Sequence, residues 1–397
     1  MISARRRAFN DAWTPEAYAR LLALLTESAG TAPAFPVSET PGFFTRAFMD
    51  DLAAVGADLV RQLEANPAAM AAATEATPER YRGPNEDPVP RFVQVDFGLV
   101  RAVDGAIEPK LVELQAFPSL YGLQRAMADA YREAYRLPAD LAIYLGGLDE
   151  AAYEAVVGSA IVGGHDPAEV VLMEIEPRAQ KTWPDFALTE RVWGVRAIDT
   201  REVRRSGREL YYDRDGRSTR IRRVYNRVIP DELERKGITL PFDYRDDLDV
   251  EWAGHPAWYF RISKFSIPWL RHPSVPRTWF LHELDGLPDD RERLVLKPLY
   301  SFAGGGIVFA PTDADLAAIA PDDRAGYILQ ERLSFEPVIA TPEGPTQVEI
   351  RIMYVWTDEL RPVLPLLRMG RGKMMGVDHN KGLRWVGASA AFLEDGP

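Results

Sequence analysis

Cysteine is absent from the 397 residues. No disulfide, thiolate nucleophile or thiolate metal site is therefore available. Histidine is scarce, at positions 165, 255, 272, 282 and 379, and no H-E-x-x-H spacing occurs. A zinc enzyme has little to stand on. No apolar run approaches the roughly 18 residues that a membrane-spanning helix needs. The start, Met-Ile-Ser-Ala-Arg-Arg-Arg, leads into mixed polarity rather than a hydrophobic signal core; the cytoplasm is the expected compartment. Positive charge is in deficit: the net charge is −12 and the sequence pI about 5.1. That argues against nucleic acid and anionic membranes as partners. A phosphate pocket here has to be a local positive island, for which Lys264, Lys297 and Arg351 are the candidates. No Walker loop G-x-x-x-x-G-K-[ST] is present, nor the H-R-D signature of a kinase catalytic loop. There is no internal repeat or low-complexity tract.

What remains is an ordinary globular composition, 46% hydrophobic and 27% charged. The length allows two or three domains. Leu21, Leu22, Leu24 and Leu25 recur at helical spacing, as do Leu52, Val55, Leu59 and Leu63, which predicts helices over 14–30 and 43–78. Gly30 and Pro78 are natural stops. Residues 78–90 are Pro-rich and polar, a linker. A helix is expected over 119–136. Glu169 to Pro177 reads as a buried strand, followed by a polar turn, Arg178 to Thr182, and a helix from 185. Strand-to-helix units suggest an open α/β sheet, where ligands gather at the carboxyl ends of strands. Glu176, Gln180, Lys181 and Thr182 would lie there, and Tyr225, Asn226 and Arg227 end a further strand. Each of these also reads as a structural residue. The fold class is thus α/β (α+β), with an N-terminal helical region over 1–90, an open α/β region over 91–250 and a third region over 251–397.

The strongest local signal is Arg293-Leu-Val-Leu-Lys-Pro-Leu-Tyr-Ser-Phe-Ala-Gly-Gly-Gly-Ile-Val-Phe-Ala310. An apolar run ends in Lys297, a turn follows, then Gly304, Gly305 and Gly306, then a second apolar run. This predicts two adjacent strands joined by a glycine loop. Consecutive glycines lose much conformational entropy on ordering. Exposed backbone N–H groups in such a loop make an anion-binding concavity, which a nearby ammonium completes. Downstream, Tyr327-Ile-Leu-Gln-Glu-Arg332 is a strand ending in Gln330 and Glu331. Upstream, Lys264 follows His255-Pro-Ala-Trp-Tyr-Phe-Arg-Ile-Ser. A lysine among aromatics also reads as a snorkelling surface residue.

Val348 to Trp356 alternates, placing Glu349 and Arg351 on one face. The stretch Leu366 to Gly382 is glycine-rich and basic, with Arg368, Arg371 and Lys373 suited to an anion, or simply a solvated loop; Asp378 and Asn380 follow. In the N-terminal half, Arg91-Phe-Val-Gln-Val-Asp-Phe-Gly-Leu-Val-Arg101 carries Asp96. After a turn at Val103-Asp-Gly-Ala, the strand Pro109-Lys-Leu-Val-Glu-Leu-Gln-Ala-Phe-Pro118 carries Glu113 and Gln115 on one face. Across a hairpin Asp96 can meet that pair.

The strand, lysine, glycine loop, strand layout resembles the ATP-grasp superfamily. The Asp96 and Glu113 strands resemble its circularly permuted type, seen in the synthetase domain of glutathionylspermidine synthase, where Arg-x-Asp-Phe precedes Glu-x-Asn-x-Asp-x-Pro. The likeness covers these two strands and roughly 255–390, and Gln115 stands where that pattern has Asn. It implies ATP and Mg²⁺ as cofactors. Lys264, Lys297 and Gly304 to Gly306 would hold the phosphates, Gln330 and Glu331 the adenine and ribose, and Asp96, Glu113 and Gln115 the metal, with Asp378 and Asn380 as an alternative to Gln115. Arg351, Lys297 and Arg368 would be catalytic. The implied activity is ATP-dependent carboxylate–amine ligation through an acyl phosphate, on small-molecule or peptide substrates. A phosphotransferase on the same scaffold and a non-catalytic nucleotide-binding protein are the alternatives.

Overall fold

The computed structural model describes residues 2–286, 288–301, 305–372, 375, 380 and 382–395. Its centre is a six-stranded mixed sheet in the spatial order Gly42–Thr45, Gly387–Glu394, Leu360–Gly370, Gln347–Trp356, Phe92–Arg101, Ile107–Gln115. The first pair is parallel and the other four pairs are antiparallel. The Asp96 and Glu113 hairpin is therefore the continuation of the Arg351 sheet. The expected boundary between 91–250 and 251–397 divides strands that share one hydrogen-bonded sheet. Sequence distance hid this, because the register that joins Asp96 to Arg351 is a non-local pairing.

One face of this sheet is dry. Val93, Val95, Phe97, Ile350, Ile352, Tyr354, Leu367 and Met369 pack against Leu52, Leu59, Val60 and Leu63. Those last four side chains lie on the helix Arg46–Glu64, and burying each stabilises by about 1.5–3 kcal/mol. Gly56 lets the helix come close: a Cβ there would lie 2.2 Å from the Tyr354 hydroxyl. That hydroxyl donates to the Ala53 carbonyl at 2.7 Å.

The expected helix over 43–78 is three elements. Gly42–Thr45 is a strand, and two helices follow, Arg46–Glu64 and Pro67–Ala76. The Thr45 hydroxyl accepts from the Phe48 amide and the Asn66 side chain from the Ala69 amide. Each is a cap before a fresh N-terminus. The other expected helices form as Pro15–Ala29, Tyr121–Ala134 and Trp183–Trp193. Gly30 ends the first of these with φ 68°, the left-handed C-terminal stop that glycine adopts without penalty.

A second sheet is wholly parallel, ordered Glu251–Ala253, Arg223–Asn226, Val170–Glu174, Arg196–Asp199. A third is antiparallel, ordered Thr278–Phe280, Tyr327–Glu331, Leu294–Pro298, Val308–Phe309. A three-stranded meander over residues 204–221 completes the set. Among the described residues no helix is long and apolar enough to cross a membrane.

Candidate active site

A cavity of about 730 Å³ is lined from all three larger sheets. Its wall on the central sheet follows from register. Glu113 lies opposite Asp96, Asp96 opposite Arg351, Gln115 opposite Gln94, and Glu349 opposite Arg368. Side chains two apart share a face, so Gln94 and Asp96, Glu113 and Gln115, and Glu349 and Arg351 face the same way.

Arg351 is the hub. Its Nε and Nη2 donate to the two oxygens of Asp96, each at 2.6 Å, and its Nη1 donates to Gln94 Oε1 at 2.6 Å. Gln94 is fixed in turn, donating to the Ser119 carbonyl at 2.8 Å and accepting from Gln115 Nε2 at 2.9 Å. Arg368 Nη2 contacts both Asp96 and Glu349. Burial alone would raise the Asp96 carboxyl, but Arg351 and Arg368 outweigh it and hold the group below the usual carboxylate range. Glu349 is pushed up to about 7 by burial, with Arg368 opposing and Asp96 adding to the rise.

The antiparallel sheet supplies the opposite wall. The Leu294–Pro298 and Val308–Phe309 strands pair as expected on either side of the glycine segment. Lys297 is buried, donates to Gln330 Oε1 at 2.6 Å and has the Val112 carbonyl at 3.4 Å. Burial pushes its ammonium down to about 8, Glu113 opposing and Lys264 assisting. Lys264 opens a short 3₁₀ turn and donates to the Ser301 carbonyl at 2.9 Å; it is buried against the cavity, not snorkelling at the surface. Gln330 also donates to the Thr278 hydroxyl at 3.2 Å, and Glu331 pairs with the exposed Arg277.

The expected residues Glu113, Gln115, Lys264, Lys297, Gln330, Glu331, Arg351 and Arg368 all line this one cavity. Asp96 does not; it is 1% exposed and sits behind the two arginines. Gly305 and Gly306 are exposed and do not line the cavity, though the next residue, Ile307, does. Gly304, Lys373 and Asp378 lie outside the described residues. Arg371, a candidate for anion binding, instead holds the Thr341 hydroxyl and the Gly344 carbonyl, each at 3.1 Å. The Asn380 amide oxygen accepts from the Arg371 backbone at 3.0 Å. Glu176 pairs with Lys236 and Arg201, and Tyr225 is a core residue packed on Phe92.

The parallel sheet brings two further residues to the cavity. Glu174 ends the Val170–Glu174 strand, and burial pushes its carboxyl up to about 8 against the pull of Arg227. Arg227 follows the adjacent strand, pairs with buried Asp185 at 3.0 Å and stacks on Phe117 and Phe186. Glu174, Gln94 and Glu349 were not among the expected site residues. For Glu174 the strand-end rule was the available signal. For Gln94 the signal was the two-residue spacing to Asp96.

The fit to a divalent cation is partial. Among the described residues no group of three or more His, Asp or Glu side chains is arranged to hold a metal. Asp96 has both oxygens taken by guanidinium groups. Glu113 faces the cavity, with Arg351 Nη2 at 4.0 Å. Gln115 gives its Nε2 to Gln94, so its amide oxygen is the end with acceptor capacity. One carboxylate with one amide oxygen is enough for Mg²⁺ when phosphates and waters complete the shell.

No protein-family model matches the chain, and no curated protein matches it. A search of solved structures does find a likeness. The fold is mixed α+β, like that of a glutathione synthetase-like neighbour. One such structure is the apo form of a glutathione synthetase-like effector from Globodera pallida, at 13% identity and a TM-score of 0.57, over 96% of this chain and 99% of that one.

Proposed function

We propose that the protein is an ATP-grasp ligase that joins a carboxylate to an amine through an acyl phosphate. One observation carries this reading. Side chains from three distant stretches, 113–115, 264–331 and 351–368, converge on a single cavity of about 730 Å³. Lys264, Lys297, Arg351 and Arg368 supply cations and Glu113 a carboxylate, the charges that a magnesium–polyphosphate ligand needs. The glutathione synthetase-like name of the structural neighbour is in keeping with a ligase.

Lys264 and Lys297 face the nucleotide phosphates from one wall. Arg351 and Arg368 face the transferring phosphoryl group from the other. The Gln330–Glu331 end of the 327–331 strand receives the adenine, with Glu331 toward the ribose. Glu113 and the Gln115 amide oxygen would hold Mg²⁺, which supplies neutralisation of phosphate charge when bound. The substrate carboxylate oxygen attacks the γ-phosphorus and ADP leaves. The amine then attacks the acyl carbon, and phosphate leaves and takes up the proton that the nitrogen loses. No covalent enzyme group is needed. The protein contributes position and fixed cationic charge, which act most strongly where water is excluded. Acid and amine would occupy the end of the cavity near Glu174 and Arg227.

The test is ADP release by the whole chain with a matrix of carboxylates and amines, and mass detection of the product. ADP release that requires both substrates, with a condensed product, supports ligation. A phosphorylated product formed without an amine would make the protein a phosphotransferase. The engagement of Asp96 by two arginines favours, as a second reading, a non-catalytic nucleotide-binding protein. ATP binding without turnover under every pairing would establish that reading.

A further inference from the structure

The strongest unexplained feature is that the carboxylate expected to be a metal ligand is not open to a metal. Asp96 is buried behind the cavity wall. Its Oδ1 accepts from Arg351 Nε, and its Oδ2 accepts from Arg351 Nη2 and Arg368 Nη2. A magnesium ion at its usual distance of about 2.1 Å would have to displace a guanidinium group. The remaining contacts fix the arginines further. Gln94 takes Arg351 Nη1, and Glu349 takes Arg368 Nη2. A guanidinium carries five N–H donors. Arg351 spends three on Asp96 and Gln94. One hydrogen on each of its terminal nitrogens is left, and the side chain lines the cavity. Arg368 donates Nη2 to Asp96 and ion-pairs with Glu349 through the same nitrogen, while its Nε is buried with no hydrogen-bond partner. Two partly satisfied guanidiniums on one wall, locked by one carboxylate, make a fixed site for phosphoryl oxygens.

We infer that Asp96 is a positioning residue, which sets Arg351 and Arg368 at the phosphate wall, and that a divalent cation in this cleft is held without it. This rests on the nucleotide reading above. It changes the division of labour there: Glu113 and Gln115 serve the cation, and Asp96 serves the arginines.

The experiment is calorimetric titration of the full chain with ATP and with ADP, across MgCl₂ concentrations from chelated to saturating. Removing a cation ligand, as in Glu113→Gln, should raise the Mg²⁺ midpoint for ATP binding by about tenfold or more. Asp96→Asn should leave that midpoint within about twofold while cutting the preference for ATP over ADP by about tenfold or more, the worth of roughly one charge-assisted hydrogen bond. A midpoint shift in Asp96→Asn as large as that in Glu113→Gln overturns the inference. Should Asp96→Asn fail to fold, Arg351→Gln and Arg368→Gln decide. Freeing a masked metal ligand would lower the Mg²⁺ midpoint and overturn the inference; an unchanged midpoint with a reduced ATP preference supports it. Absence of ATP binding to the wild-type chain at every Mg²⁺ concentration would remove this inference together with the nucleotide reading.

Discussion

Arg351 and Asp96 are 255 positions apart, yet they form a two-point ion pair at 2.6 Å and 2.6 Å on adjacent strands. The pair is buried, so each partner depends on the other. Asp96 also has Arg368, whereas the two arginines share Asp96 at one point. The losses should therefore be unequal. Arg351→Gln leaves Asp96 paired with Arg368. Asp96→Asn leaves Arg368 with Glu349 but leaves Arg351 with only Gln94 and, at 4.0 Å, Glu113. Breaking a buried pair typically costs about 3–5 kcal/mol. Asp96→Asn is expected to approach that range, and Arg351→Gln to cost clearly less. Urea unfolding of both variants checks it, and equal or reversed losses would contradict the shared-carboxylate geometry.

Much of this site was legible because its chemistry sits on strands with period-two patterning. The Lys297 strand, the Glu113 and Gln115 face, and the Glu349 and Arg351 face are local patterns, and the structure forms all three as strands. What the sequence did not disclose was pairing between distant strands. Nothing local tells Asp96 that its neighbours are Arg351 and Arg368, so a carboxylate read as open is closed. The same limit explains Arg371. Its basic, glycine-rich surroundings suggest an anion, but Thr341 and Gly344, about 30 positions away, occupy it. The break between the helices at 46–64 and 67–76 was missed for a different reason. The apolar spacing runs on, and the Asn66-Pro67 cap that restarts the helix is a weaker signal than the leucines.

Lys297 is expected to be the most sensitive nucleotide contact. Lys297→Met should lower ATP turnover by ~10²–10³-fold, the usual result of deleting one fixed charge from a dry site, with the fold retained. The proton linkage gives an independent check. Burial brings the Lys297 ammonium down to about 8. Below that pH it is charged and can grip phosphate; above it the charge is lost. ATP affinity should therefore fall as pH rises through 8. Lys297→Arg, which stays charged, should flatten that fall. A wild-type affinity constant from pH 7 to 9.5 would remove Lys297 from the phosphate contacts.

Glu174 gives a stability prediction. Its carboxyl is raised by burial to about 8, well above its value in an unfolded chain. Between the two values the folded protein binds a proton that the unfolded chain does not. Stability must then fall as pH rises through that window, by at most about 1.4 kcal/mol per pH unit for one proton. Below pH 4.5 the group has no effect, and above 8 the full cost is present. Glu174→Gln should remove this part of the slope and stabilise the protein most near pH 8. Chemical denaturation at pH 5, 6.5 and 8 tests it. A variant whose stability difference from wild type does not change with pH would show that Glu174 is ionised throughout.

The glycine segment can be tested at Gly306, whose φ of 71° lies in the left-handed region. A Cβ there would stand 2.8 Å from Pro298 Cγ, on the strand that carries Lys297. A β-branched residue at such a φ costs about 1–3 kcal/mol. Gly306→Val therefore must rotate out of this conformation or push on Pro298. Either change re-aims the loop relative to Lys297. Adenosine, which has no phosphates, should bind the variant nearly as it binds wild type. ATP should bind about tenfold or more weakly, since each 1.4 kcal/mol is a factor of ten. Equal losses for both ligands would mean that the glycine segment supports the whole cleft rather than the phosphates. Equal retention of both would mean that the loop backbone does not approach the nucleotide at all.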